Sequence, residues 1–133
     1  MSDELATLPA FLAYLGMGVL FTLVFLGVYL IVTPQRELAL IRTGNVSAAL
    51  VLVGALFGYE LPLASAIAHA VSLADLAIWG GVALAVQLAT YLVLRLWLRP
   101  LVAHIEADRI SIGLLAASVS LGMGMLNAAA MTY

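Results

Sequence analysis

The chain alternates between long apolar runs and short polar stretches, and that pattern sets its architecture. Four continuous apolar runs occupy about residues 8–33, 46–70, 73–98 and 110–133. A helix needs roughly 20 apolar residues to cross ~30 Å of hydrocarbon, so each run is long enough to span a membrane. The runs are continuous rather than alternating, which predicts helices and not barrel strands. The fold class predicted is an all-α integral membrane protein, with residues 1–133 forming a single domain of four transmembrane helices.

Two polar connections, TPQRELALIRTGN and RPLVAHIEADR, separate the first run from the second and the third from the fourth. Each carries a proline just past a span, Pro34 and Pro100. Thr33 is placed to cap a new helix with Pro34 at its first position. Leu38, Leu40 and Ile41, and likewise Leu101, Val102 and Ile105, predict short helices lying in the interface. The link around residues 69–75 is very short, so spans two and three form an antiparallel hairpin. Asp75 is expected to cap the helix that opens there.

Composition narrows the class. Of the 133 residues, 65% are hydrophobic and 9% charged, against about a quarter charged in a soluble domain. A net charge of −2 offers no basic patch for nucleic acid. With no cysteine, disulfides, thiolate metal sites and cysteine nucleophiles are excluded. His69 and His104 are expected on opposite membrane faces as single interfacial histidines. No nucleotide loop, HExxH or serine–histidine–aspartate set appears, so neither catalysis nor a cofactor nor a metal is predicted.

The placement of charge is more informative than its sum. All five basic residues are arginines: Arg36, Arg42, Arg95, Arg99 and Arg109. Each lies in or beside the two long connections, which the positive-inside rule makes cytoplasmic, leaving the N- and C-termini outside. Asp3 and Glu4 precede a run too long for a signal-peptide core, so the first run is read as an uncleaved span.

An internal repeat fits this layout. Setting residues 45–67 against 109–131 aligns Ser47 with Ser111, Leu50 with Leu114, Gly58 with Gly122, Ala64 with Ala128 and Ala66 with Ala130. In the first halves only Gly16 with Gly80 and the two prolines match, with a two-residue gap. Two helices per unit give two parallel repeats, related by an axis along the membrane normal.

In lipid, helices associate where small residues let backbones approach. Gly54, Gly58, Pro62, Ala66 and Ala70 recur at every fourth position of span two, as do Ala116, Ser120, Gly124 and Ala128 in span four. These seams have two readings, a contact between copies of the chain or packing inside the bundle, of which the second is preferred. Gly80, Gly81 and Ala85 offer a further close approach.

Glu60 is the anomaly. At 100° per residue it lies about 200° from Gly58 and about 160° from Pro62, facing away from the seam. A charged carboxylate at that depth costs ~2.5 kcal/mol or more. Gln87, mid-span in the neighbouring antiparallel helix, is the candidate partner, at ~21 Å depth against ~15 Å for Glu60. The pair is either a hydrogen-bonded helix contact, which is preferred, or a proton- or ion-handling site. Asn127 joins them as a candidate intramembrane polar residue, expected to make an interhelical hydrogen bond.

The stretches GNVSAALVLVGALFGYELPLASAI, SLADLAIWGGVALAVQL and LNAAAMTY together resemble the YjfL-type small bacterial inner-membrane proteins, grouped as domain of unknown function 350. The resemblance covers about residues 14–133. Its motifs match Asn45, Ala48 and Ala49; Gly54, Gly58, Pro62, Leu63, Ser65 and Ala66; Asp75, Trp79, Gly80 and Gln87; and the ending at residues 127–132. The chain departs from the family pattern at Asp108, Arg109, Ile110 and Ser111, where Asn and small residues are usual, and at Glu60, where the family position is commonly apolar. The resemblance implies four spans in a bacterial inner membrane, no established biochemistry, and a Glu60 role particular to this chain.

The reading that fits best is a non-enzymatic, homo-oligomeric membrane protein, a scaffold or partner-binding component in envelope maintenance. Its partners are the lipid bilayer, further copies of the chain and an unspecified protein. The alternative is a small proton or cation channel or carrier using Glu60 and Gln87, built from several copies because four helices barely enclose a path.

Overall fold

The computed structural model describes residues 2–34 and 36–131, with side chains from residue 7 onward. The side chains of Asp3 and Glu4, and all of Thr132 and Tyr133, lie outside the described residues. The elements are α1 (Ser2–Val32), α2 (Glu37–Arg42), α3 (Val46–His69), α4 (Leu73–Trp97), α5 (Leu101–Glu106) and α6 (Ile110–Ala130). No strand occurs among the described residues. Four segments are long and apolar enough to cross a membrane, Thr7–Val32, Val46–His69, Leu73–Trp97 and Ile110–Ala130. The chain is thus an all-α protein with four candidate spans, as its apolar pattern predicts.

The helix ends show how the connections are built. The amide and hydroxyl of Thr33 both donate to the Tyr29 carbonyl, at 2.9 and 3.0 Å. Thr33 therefore closes α1 and, contrary to expectation, caps no helix at Pro34, because α2 begins only at Glu37, with Arg36 at its N-cap position. At α4 the cap is Ser72, whose hydroxyl accepts from the Asp75 amide at 3.1 Å. Asp75, three residues along, reaches back to the Val71 amide at 3.2 Å in a reciprocal capping arrangement, so the expected cap is one member of a pair.

The start of α3 is satisfied from two sources. Asn45 Oδ1 accepts from the Ala48 amide at 2.7 Å, and Asp108 Oδ1, from the far connection, accepts from the Ser47 amide at 2.9 Å. Two of the amides that every helix start leaves unpaired are so accounted for, and a carboxylate suits the positive end of the helix dipole. Asn45 Nδ2 also donates to the Ile105 carbonyl at 2.8 Å, and Ser47 Oγ donates to the Arg109 carbonyl at 3.1 Å. The two connections are therefore stitched together at one end of the bundle.

They also share a shape. α2 and α5 are each six residues, and both they and the helices that follow, from Val46 and Ile110, begin 64 residues apart. Each connection ends in the same turn: Gly44 and Asp108 take positive φ, 90° and 55°, and donate to the carbonyls of Ile41 and Ile105. Glycine occupies that backbone region freely, and Asp is among the few other residues that tolerate it. The short helices turn Glu37, and Leu101 with Ile105, inward against the bundle, while Leu38 stays exposed.

The core is centred on α3, whose main neighbour is α6. Successive contacts from Ser47 with Gly113 to Ser65 with Ala128 show that the two helices run parallel. Their backbones touch. A Cβ on Gly54 would strike Ala117, one on Gly124 would strike the Gly58 backbone, and one on Gly58 would strike Gln87 and the Ser120 carbonyl. Pro62 has no N–H, so the Gly58 carbonyl lacks its usual donor four residues on, and that oxygen faces Gly124. The two small-residue seams thus face each other inside one protomer. They are occupied there and are not available to join copies of the chain. Of the further close-approach residues, a Cβ on Gly80 would meet the Phe21 ring at 3.4 Å, while one on Gly81 would face open space.

α1 packs more lightly on α3 and α4. Its anchor is aromatic: Phe25 stacks on Tyr59 with ring centroids 4.5 Å apart, and Tyr29 meets Tyr91 edge-on at 5.4 Å. Such pairs contribute ~0.5–1.5 kcal/mol each beyond their burial.

Candidate functional site

Polar side chains enter the membrane interior on two different faces of α3. On the first, Thr22 Oγ1 of α1 donates to Glu60 Oε1 at 2.6 Å. The same hydroxyl lies 2.9 Å from the Gly18 carbonyl, a turn earlier in its own helix. A hydroxyl has one hydrogen, so these two acceptors compete for it unless the carboxyl carries a proton of its own. Glu60 is half-buried and opens onto a groove of about 340 Å³ between α1 and α3, walled by Val19, Leu23, Ala64 and Ile67.

On the second face is Gln87 of α4, only 2% exposed. Its Nε2 donates to the carbonyls of Ala55 and Ser120, each at 3.3 Å, so one side chain ties α4 to both α3 and α6. It fits because Gly58 has no side chain to occupy the same space. Its Oε1 is buried and has no hydrogen-bond partner among the described residues.

The expected Glu60–Gln87 pair is therefore not formed. Gln87 sits on the Gly58 face of α3, and Glu60 lies about 200° round the same helix, turned to α1. Asn127 departs from expectation as well: its Nδ2 is buried and has no hydrogen-bond partner among the described residues, so it makes no interhelical bond to them through that group.

A further acid was missed in the sequence. Glu37 at the start of α2 is 1% exposed and lies beside the buried phenol of Tyr29. With Tyr29 and Tyr91 it forms a buried acid–phenol cluster at the arginine-bearing end of the bundle. The apolar pattern of Leu38, Leu40 and Ile41 predicts an interfacial helix and assigns no place to Glu37. The sequence carries no signal for its burial, because packing against Tyr29 decides which way the first turn of α2 faces.

Among the described residues, no group of three or more His, Asp or Glu side chains is arranged to hold a metal ion. The arrangement consists of one carboxyl exposed to a lipid-depth groove, one amide crosspiece and one buried acid among phenols.

Four apolar crossing helices with intramembrane polar contacts of this kind define a small polytopic helical membrane protein. The chain belongs to the family described as Domain of Unknown Function (DUF350), which it matches over residues 3–131. The UPF0719 inner membrane protein YjfL of Escherichia coli (strain K12) is 39% identical over 129 residues, covering 97% of this chain and 98% of that protein. The protein of the same description from Escherichia coli O157:H7 matches to the same extent. No solved structure matches. The resemblance read from the Asn45, Gly54–Ala66 and Asp75–Gln87 stretches is the family so found.

Proposed function

We propose that the chain is a non-enzymatic, homo-oligomeric protein of the bacterial inner membrane, a scaffold or partner-binding component in envelope maintenance. Its relative's description as an inner membrane protein supports the location. One observation carries the rest: the Thr22–Glu60 pair opens onto a groove at lipid depth while both small-residue seams are occupied inside the protomer. A polar pair facing hydrocarbon gains when another polypeptide covers it, because lipid tails offer it no hydrogen bond. The α1–α3 groove is therefore the contact for a second copy.

Because the chain lacks cysteine, single cysteines report proximity cleanly. Val19→Cys, on the groove wall and 52% exposed, should crosslink copies in lipid nanodiscs, whereas Val93→Cys, 61% exposed on α4, should not. Adding Glu60→Leu should reduce the Val19 crosslink while the protein stays folded, since Thr22 keeps the Gly18 carbonyl as acceptor. A protein that is monomeric in nanodiscs and gives no Val19 crosslink would remove this proposal.

A second reading rests on the same carboxyl. Glu60 alone, reachable from the groove, is a proton-handling candidate, although Gln87 takes no part because it faces elsewhere. Liposome proton flux separates the two. Flux that disappears in Glu60→Gln, with thermal stability intact, would replace the scaffold reading by this one.

A further inference from the structure

At the end of α4 the chain leaves a second open groove, of about 700 Å³, between that helix and α5. Its walls are apolar, with Leu92, Leu96 and Val102 among them, and its polar groups are Arg95 and Arg99. Four residues apart, both side chains are exposed, and among the described residues neither has an ion pair or hydrogen bond.

The acids at this end of the bundle lie away from them. Glu37 is buried beside Tyr29, Asp108 caps α3 through the Ser47 amide, and Glu106 lines a different groove with Arg36 and Thr43. Two guanidiniums therefore stand over a hydrocarbon wall with no counter-charge. Leu92 and Leu96 are 48% and 61% exposed, and Trp97, 62% exposed, sits where an aromatic anchor meets the headgroup layer. An occupant that satisfies both halves is anionic at one end and apolar along its length.

We propose that this groove binds an acidic phospholipid, its phosphate held by Arg95 and Arg99 and an acyl chain lying along Leu92 and Leu96. Guanidinium forks match phosphate oxygens in charge and geometry, and basic pockets beside membrane helices are suited to acidic headgroups. Free phosphate would meet the arginines but leave the apolar wall uncovered. Arg36 is a weaker candidate because Glu106 shares its groove.

The test uses the purified full chain in nanodiscs, with native mass spectrometry and lipid titration. Phosphatidylglycerol should be retained in preference to phosphatidylcholine. Each arginine near an anionic headgroup is worth about fivefold, so R95Q/R99Q should weaken phosphatidylglycerol binding by roughly thirtyfold and leave phosphatidylcholine unchanged. The control R36Q/R42Q removes the same charge from α2 and its approach and should retain the binding. Both target side chains are exposed and make no contact that folding needs; if the double variant is not recovered, each single variant should show a partial loss. Equal loss in R36Q/R42Q would mean a general charge effect and overturn the site. So would unchanged affinity in R95Q/R99Q, equal retention of phosphatidylcholine, or displacement of the lipid by millimolar inorganic phosphate.

Discussion

Gln87 and Glu60 show how far a single residue can be placed from sequence. Counting 100° per residue separates Glu60 from the Gly58 face, and that separation holds. What Glu60 then meets depends on which neighbour lies on its side of α3, and the spacing of one helix carries no information about that. It meets Thr22 of α1, while Gln87 enters from α4 on the opposite face. Glu37 was illegible for a similar reason, because whether α2 lies flat or folds its first turn inward is decided by packing against Tyr29. Gln87 yields a contrast between two substitutions. Gln87→Met removes two long hydrogen bonds, but it also removes an oxygen that is buried without a partner. Interhelical hydrogen bonds in membranes average ~0.6 kcal/mol, so the net loss should be under ~1 kcal/mol. Gln87→Glu sets carboxylate oxygens against the Ala55 and Ser120 carbonyls instead, and should cost ~2 kcal/mol or more. Thermal unfolding in detergent measures both; a Met variant less stable than the Glu variant would contradict this account.

Among the elements, the spacing of small residues identified α3 and α6 as the helices able to approach closely. It left open whether each seam meets the other or a second copy. The parallel contact settles that in favour of packing within one chain, and it also limits what the sequence alignment implies. Gly122, aligned with Gly58, faces open space, whereas Gly124 is the residue against Gly58. Two helices that face each other across a shared seam need not place aligned glycines in contact. Gly58→Ala and Gly124→Ala should therefore each destabilise the fold by about 1–3 kcal/mol through overpacking. Gly122→Ala should be neutral or stabilise by up to ~1 kcal/mol, since alanine costs a helix less than glycine. Equal melting temperatures for all three would remove the seam. The Asn45 motif was visible in the sequence, but its second role was not. Asn45→Asp keeps the acceptor for the Ala48 amide and loses the donor to Ile105, so it should cost ~1 kcal/mol or more. Asn45→Ala should cost ~1 kcal/mol beyond that, through the lost cap. If Asp proves as stable as Asn, the bond between the two connections contributes nothing.

For the whole molecule, the four-span architecture was legible because hydrocarbon thickness imposes a length on each apolar run. The orientation rests on charge. Arg36, Arg42, Arg95, Arg99 and Arg109 flank connections that Asn45–Ile105 and Ser47–Asp108 hydrogen bonds hold together at one end of the bundle. The α3–α4 link at the other end carries no arginine, so no charge opposes a single orientation. In intact cells, Val71→Cys in that link, 87% exposed, should react with a maleimide that cannot cross the inner membrane. Thr43→Cys, exposed in the turn after α2, should react only after the membrane is permeabilised. The reverse pattern would place the arginines outside and invert the topology. Labelling of both sites in intact cells would mean that the chain inserts in two orientations, and charge alone then would not decide between them. The same pair of cysteines bears on the lipid site, since Arg95 and Arg99 stand at the Thr43 end and meet the leaflet that Thr43 reports.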